Sequence, residues 1–263
     1  MEGHLKVAAV QMDIYWLDID ANLAELEEYF HVHVVGQAYD IVLLPEMFNT
    51  GFGKQAAQHS EFMNGRTHKW LRNMAALCNA LLMGSISMKE AGVTTNRLLA
   101  VYPDGSTCWY DKRHLFTYGQ ENDVFAPGSK SININYKGFR IKPLICYDLR
   151  FPEWSRNDKS DPFDLLLYVA NWPNTRQYAW EQLLIARAIE NQCYVIGCNR
   201  VGKDGNSLEY MGGSLIINYE GKIMAYGDPA THLVHSEIDK DELDAFRRRF
   251  PFLNDADQMG IYL

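Results

Sequence analysis

The sequence lacks most of the features that would tie it to a metal, a membrane or a nucleic acid. Its five cysteines (Cys78, Cys108, Cys146, Cys193 and Cys198) are odd in number and form no C-x-x-C pair. That argues against a disulfide frame or a structural zinc site and fits a reducing cytoplasm. No H-E-x-x-H occurs, and His31 and His33, two apart on a helical stretch, point in different directions, so no metal site is expected. Gly51-Phe52-Gly53 lacks the third glycine and the β-α context of a dinucleotide site, and no cofactor is expected. No apolar run reaches the ~18 residues of a membrane span. Met1 to Lys6 leads into a strand pattern without a signal-peptide profile, so the expected location is the cytoplasm. The one basic cluster, Arg247-Arg248-Arg249, sits in a chain of formal charge -8. It reads as a solvated helix end, and nucleic acid is not an expected partner.

What is present is an ordinary globular composition, 263 residues with 47% hydrophobic and 22% charged, enough to bury a large core. Strand-like apolar runs alternate with helical stripes. Val7 to Val10, Ile41 to Leu44, Leu81 to Ser87, Phe139 to Ile145, Leu165 to Ala170, Tyr194 to Cys198 and His232 to Ile238 read as strands. Leu23, Leu26, Phe30 and Val34 recur at helical spacing, as do Trp70, Leu71, Met74, Leu77 and Cys78, and later Trp180, Leu183, Leu184, Arg187 and Ala188. Pro103-Asp104-Gly105-Ser106 and Tyr219-Glu220-Gly221 mark two hairpins. No linker divides the chain, so residues 1–263 read as one α/β domain with mixed strand directions. Asp40 to Glu46 and Asp164 to Trp172 repeat one pattern, an aspartate, an apolar run and a functional-looking end, a weak sign of internal duplication.

Cys146 ends the apolar run from Phe139 and is followed by a polar turn and then by Pro152-Glu153, which reads as a helix start. Open α/β folds place ligands at the carboxyl ends of strands, although a lone cysteine also serves as a small core hydrophobe. A free thiol is only about 3% thiolate at pH 7, so a nucleophilic cysteine needs a base or a cation nearby. Among the histidines only His114 approaches a strand end. Glu46 ends Val42-Leu43-Leu44-Pro45. It reads as a strand-end cap or as a general base whose apolar setting raises its proton affinity. Lys112 follows Thr107 to Asp111, and either snorkels among aromatics or supplies positive charge to an oxyanion. Asp148 and Arg150 are expected to pair across the elbow. Phe48, Phe116 and Trp172 form an aromatic wall or ordinary core, Arg176 is a candidate partner for a substrate carboxylate or a surface residue, and Cys193 and Cys198 read as inert core thiols.

Leu44-Pro45-Glu46-Met47-Phe48, Tyr110-Asp111-Lys112-Arg113-His114-Leu115-Phe116 and Ile145-Cys146-Tyr147-Asp148-Leu149-Arg150-Phe151-Pro152-Glu153 resemble, in this order, the three catalytic motifs of the nitrilase superfamily of carbon–nitrogen hydrolases. The resemblance runs on through Val169-Ala170-Asn171-Trp172-Pro173 and Trp180 to Asn191. Cys198 to Gly202, Arg249-Phe250-Pro251 and Asp255-Ala256-Asp257 place it nearest the bacterial omega-amidase branch. It implies a four-layer α-β-β-α sandwich, one carbon–nitrogen hydrolase domain, and a homodimer or larger assembly. It also implies the roles: Glu46 as general base, Lys112 as oxyanion-stabilising cation, Cys146 as nucleophile, the Tyr147 N–H as second oxyanion donor, and Glu121 orienting Lys112. The expected substrate is a small-molecule amide, the monoamide of a small dicarboxylic acid such as 2-oxoglutaramate. Nitrile or N-carbamoyl hydrolysis on the same residues, or a silent binding subunit, are the alternatives.

Overall fold

The structure, a computed structural model, describes residues 3–257. Fourteen strands occur along the described residues: β1 (His4–Val10), β2 (Ile41–Leu43), β3 (Leu81–Glu90), β4 (Val93–Val101), β5 (Thr107–Asp111), β6 (Ile134–Tyr136), β7 (Phe139–Ile145), β8 (Leu165–Ala170), β9 (Tyr194–Asn199), β10 (Val201–Lys203), β11 (Glu209–Met211), β12 (Leu215–Ile217), β13 (Ile223–Tyr226) and β14 (Leu233–Asp239). Four α-helices accompany them: α1 (Ile19–His33), α2 (Arg66–Cys78), α3 (Gln177–Asn191) and α4 (Lys240–Arg249). One six-stranded sheet has the order β14-β1-β2-β3-β4-β5 and the other β13-β12-β9-β8-β7-β6, with β10 and β11 pairing separately. In each sheet the middle is parallel, β1-β2-β3 and β7-β8-β9, and antiparallel strands extend the sides.

Alternation along the strands builds the layers. Val7 and Ala9 of β1 and Ile41 and Leu43 of β2 face the second sheet in one core. Ala8, Val10 and Val42 point the other way, against Leu23, Leu26 and Phe30 of α1 and Leu71 and Met74 of α2. On the far side Trp180, Leu184 and Ala188 of α3 cover the second sheet. The sheets touch directly: Cys198 Sγ of β9 lies 3.5 Å from the Val10 carbonyl and 3.6 Å from that of Leu43. Helix α1 begins at Asp18, whose side chain accepts the Ala21 N–H, a standard N-cap. The four-layer α-β-β-α arrangement is the expected one.

The suspected duplication has a structural counterpart. Asp40, before β2, accepts the Lys6 N–H of β1 at 2.8 Å, and Asp164, before β8, accepts the Arg140 N–H of β7 at 3.0 Å. Each aspartate also receives, on its carbonyl, the first N–H of the next parallel strand, Leu81 and Tyr194 respectively.

Three local expectations differ from the structure. No helix opens at Pro152. A 3-10 turn covers Cys146–Arg150, and bonds of i to i−3 type carry the chain through Ser155. There Trp154 Nε1 is drawn to Tyr110 Oη and the Asn157 N–H to Asn191 Oδ1, tertiary anchors that pull the segment off a helical path. Leu77 is 48% exposed and lies off the buried stripe of α2. Arg247 is not simply solvated, because it bonds Asp164 and the Phe163 and Gln192 carbonyls.

Candidate active site

The carboxyl ends of β2, β5, β7 and β8 converge. Past β2, a turn with Met47 in the left-handed region (φ 44°) presents Glu46, fully buried. Lys112 directly follows β5, its N–H bonded to the Asn96 carbonyl of β4 at 2.9 Å. Its Nζ donates to Glu46 Oε1 at 2.8 Å and to both oxygens of Glu121 at 3.0 and 2.9 Å. Glu121 opens a 3-10 turn after Gln120, itself left-handed at φ 59°, and also accepts the Phe116 N–H at 2.7 Å. The second oxygen of Glu46 accepts the Asn171 N–H beyond β8 at 2.9 Å, and the Asn171 side chain donates to the Glu46 carbonyl. Each half of the sandwich thereby fixes the other.

Cys146 ends β7 in a left-handed conformation (φ 44°), which costs a non-glycine residue about 1–3 kcal/mol and persists only where the surroundings impose it. Asp148 does so. It is fully buried and accepts from the Ile145 N–H and Tyr110 Oη on one oxygen and from the His114 N–H on the other, which also contacts His114 Nδ1 at 2.8 Å. The thiol is half-buried and faces Glu46 and Lys112.

The charges of the site are interdependent. Burial alone would push the Lys112 ammonium down, but Glu121 and then Glu46 outweigh it and hold the group above the ordinary lysine range. Burial pushes Glu121 up, Lys112 pulls it back and Glu46 raises it again, leaving it above the usual carboxylate range. Burial and then Glu46 push the Cys146 thiol well up against the pull of Lys112. The cluster thus favours the thiol over the thiolate at Cys146, so a nucleophilic role there calls for a proton acceptor nearby. Among the described residues no group of three or more His, Cys, Asp or Glu side chains could hold a metal.

Cys146 opens into a cavity of about 470 Å³. Tyr147, Phe116, Trp172 and Arg176 line it, with Arg176 lying 5.3 Å over the Phe116 ring. Phe48 does not. The left-handed turn at Met47 sends it to the opposite face of the sheet, over Gly84, where an added Cβ would meet the ring at 2.8 Å, and 6.2 Å from Trp70. The expected Asp148–Arg150 pair is absent, because Asp148 points inward while Arg150 lies in the cavity wall, 4.9 Å over the Trp172 ring. Sequence reasoning assigned no role to Asn96 or Asn171. Asn171 carried a signal, since it follows an apolar strand just as Cys146 does, whereas Asn96 lies inside a strand and carried none.

A family model described as carbon–nitrogen hydrolase matches residues 6–248. An omega-amidase of Escherichia coli K12 is 42% identical over 260 residues, 98% of this chain and 99% of that protein. A 2-oxoglutaramate amidase of Bacillus subtilis is 31% identical, covering 95% of this chain and 96% of its own. The crystal structure of a Xanthomonas campestris CN-hydrolase superfamily protein, with an arsenic adduct in its active site, superposes with a TM-score of 0.95 at 40% identity, covering 98% of this chain and 99% of that one.

Proposed function

Because the chain belongs to the carbon–nitrogen hydrolase family, we propose that it is an omega-amidase, hydrolysing the terminal amide of a small dicarboxylic acid monoamide such as 2-oxoglutaramate to acid and ammonia. The observation that carries this reading is Lys112 held between Glu46 and Glu121 beside Cys146, in a cavity whose wall holds two arginines.

Glu46 takes the thiol proton as Cys146 Sγ bonds to the amide carbon. The carbonyl electrons move to oxygen, where Lys112 Nζ and the Tyr147 N–H, at the start of a helical turn whose first amides lack intrahelical partners, stabilise the charge. The carbon–nitrogen bond then breaks, and the nitrogen leaves as ammonia with the proton held by Glu46. Water, giving a proton to Glu46, attacks the thioester and releases the acid with the thiol restored, so that covalent catalysis divides one hard step into two. Arg150 and Arg176 meet the distal carboxylate, with Phe116 and Trp172 against the carbon chain. Two omega-amidase-type relatives support the substrate class. We further infer a homodimer or larger assembly acting in the cytoplasm.

The test is ammonia release from a panel of ω-monoamides, nitriles and N-carbamoyl amino acids, with Cys146→Ala as control. The expected result is turnover of anionic monoamides that Cys146→Ala abolishes while the far-ultraviolet circular dichroism is unchanged. Preference for a nitrile or a carbamoyl compound would replace the substrate assignment, and turnover by Cys146→Ala would overturn the nucleophile.

A further inference from the structure

Asn96 lies inside β4, opposite Ser87 of β3, and is fully buried. Its Nδ2 donates to Glu46 Oε1 at 2.8 Å and to Glu121 Oε1 at 3.1 Å, while its main-chain carbonyl accepts the Lys112 N–H at 2.9 Å. One residue of a regular strand therefore holds two side chains and one main-chain amide that arrive on three separate segments. Sites carried by rigid elements keep their geometry better than sites carried by loops. The Asn96 Oδ1 has no partner among the described residues. A buried amide with an unpaired oxygen is costly, so its presence is explained by what its NH2 group does.

The electrostatics give that group a task. Two buried carboxylates share one ammonium, and the Glu46 charge adds to burial in raising the proton affinity of Glu121. The Asn96 NH2 places a neutral donor on an oxygen of each carboxylate without adding a charge. A second cation there would cancel the negative charge the base needs, and an apolar side chain would leave the repulsion unopposed.

We propose that Asn96 is a positioning residue that clamps Glu46 and Glu121 in their ionised, Lys112-facing arrangement and so sets how far into acid the site works. The proposal rests on the reading of Glu46 as the base that deprotonates Cys146. The groups facing this pair are Lys112 from the end of β5 and Cys146 from the end of β7.

The experiment measures the rate of Cys146 alkylation by iodoacetamide, located by mass spectrometry, across the acidic and neutral range for wild type, Asn96→Ala, Asn96→Ser and Asn96→Asp. No substrate is involved, so an error in the substrate does not affect the outcome. The acid limb should move upward by about one pH unit in Asn96→Ala, since a hydrogen bond to a charged group is lost. It should move less in Asn96→Ser, which keeps a hydroxyl donor, and more in Asn96→Asp, which adds a third carboxylate. Folded variants that lose rate without any movement of the limb would overturn the proposal by showing a merely structural role. Should Asn96→Ala fail to fold, the limb of Asn96→Asp, identical in shape, decides. A wild-type protein unlabelled at Cys146 would count against the nucleophile and base assignment instead.

Discussion

Lys112 and Lys142 both lose their water on folding, and the protein treats them in opposite ways. Lys112, fully buried at the end of β5, makes three hydrogen bonds to two glutamates and is held above the ordinary lysine range. Lys142, 9% exposed in the middle of β7, has no ion pair among the described residues. Its Nζ lies 5.5 Å over the Phe163 ring, and burial, opposed only by the more distant Asp148, lowers it from 10.5 to about 8. Burial by itself always disfavours the charged amine, so the difference lies in the carboxylates. Two of them around one ammonium leave the cluster with a net negative charge, which in the proposed mechanism a proton from Cys146 neutralises. The second sheet offers Lys142 nothing comparable.

The strongest way to break this contrast is Lys112→Met. Removing the cation leaves Glu46 and Glu121 buried without their partner, and breaking a buried pair in this way typically costs about 3–5 kcal/mol. Losing an oxyanion donor costs a further factor of about 10²–10³ in kcat. Urea unfolding and ammonia release should both report the loss. A variant of unchanged stability would mean that the carboxylates do not depend on Lys112 for their charge.

The opposite outcome is expected for Lys142→Met, which should stabilise the protein by about 1–3 kcal/mol at pH 7, because an unpaired buried amine is replaced by an apolar side chain of similar length. The sign comes from linkage. Lys142 binds its proton less tightly in the folded state than in the unfolded one, so the unfolded chain holds more protons between about pH 8 and pH 10.5 and wild-type stability from this group rises with pH there. The penalty is fully present below about pH 8 and is gone above pH 10.5. Unfolding curves of the two proteins should therefore differ most at neutral pH and converge above about pH 10.5. A constant gap would assign the gain to packing rather than to charge.

The two lysines also show how far the sequence could be read. Lys112, like Glu46 and Cys146, interrupts an apolar strand at its end, and a polar residue at that point is conspicuous by type and place. The layers were legible for the same reason, since the period of two in β1 and the helical stripe of α1 each name a face. Lys142 and Asn96 lie within strands, where a polar residue reads as one that faces solvent unless the opposing layer is known, and that layer comes from residues far away in the chain. Phe48 was misplaced because a single left-handed residue, Met47, turns the next side chain to the other face, and no composition signal marks a methionine for that role. Asp148 and Arg150 read as a pair because an elbow needs fixed polar anchors. Asp148 instead bonds Tyr110 of the other sheet and His114 just beyond it, which left Arg150 free.

Arg150 completes the comparison as a cation that is neither enclosed by carboxylates nor buried without them. It is exposed in the cavity wall, stacked on Trp172, with no ion pair among the described residues, so its charge costs the fold little and stays available to a ligand. Arg150→Met should leave stability within about 0.5 kcal/mol of wild type, as surface changes usually do. It should raise KM for an anionic monoamide about tenfold, the size of about 1.4 kcal/mol, and leave kcat little changed, because the distal carboxylate bears the same charge in ground and transition states. A neutral amide of the same length supplies the control, and its KM should hardly move. Equal losses for the charged and neutral amides would show that Arg150 contributes only its packing on Trp172, and the recognition of the carboxylate would then fall to Arg176.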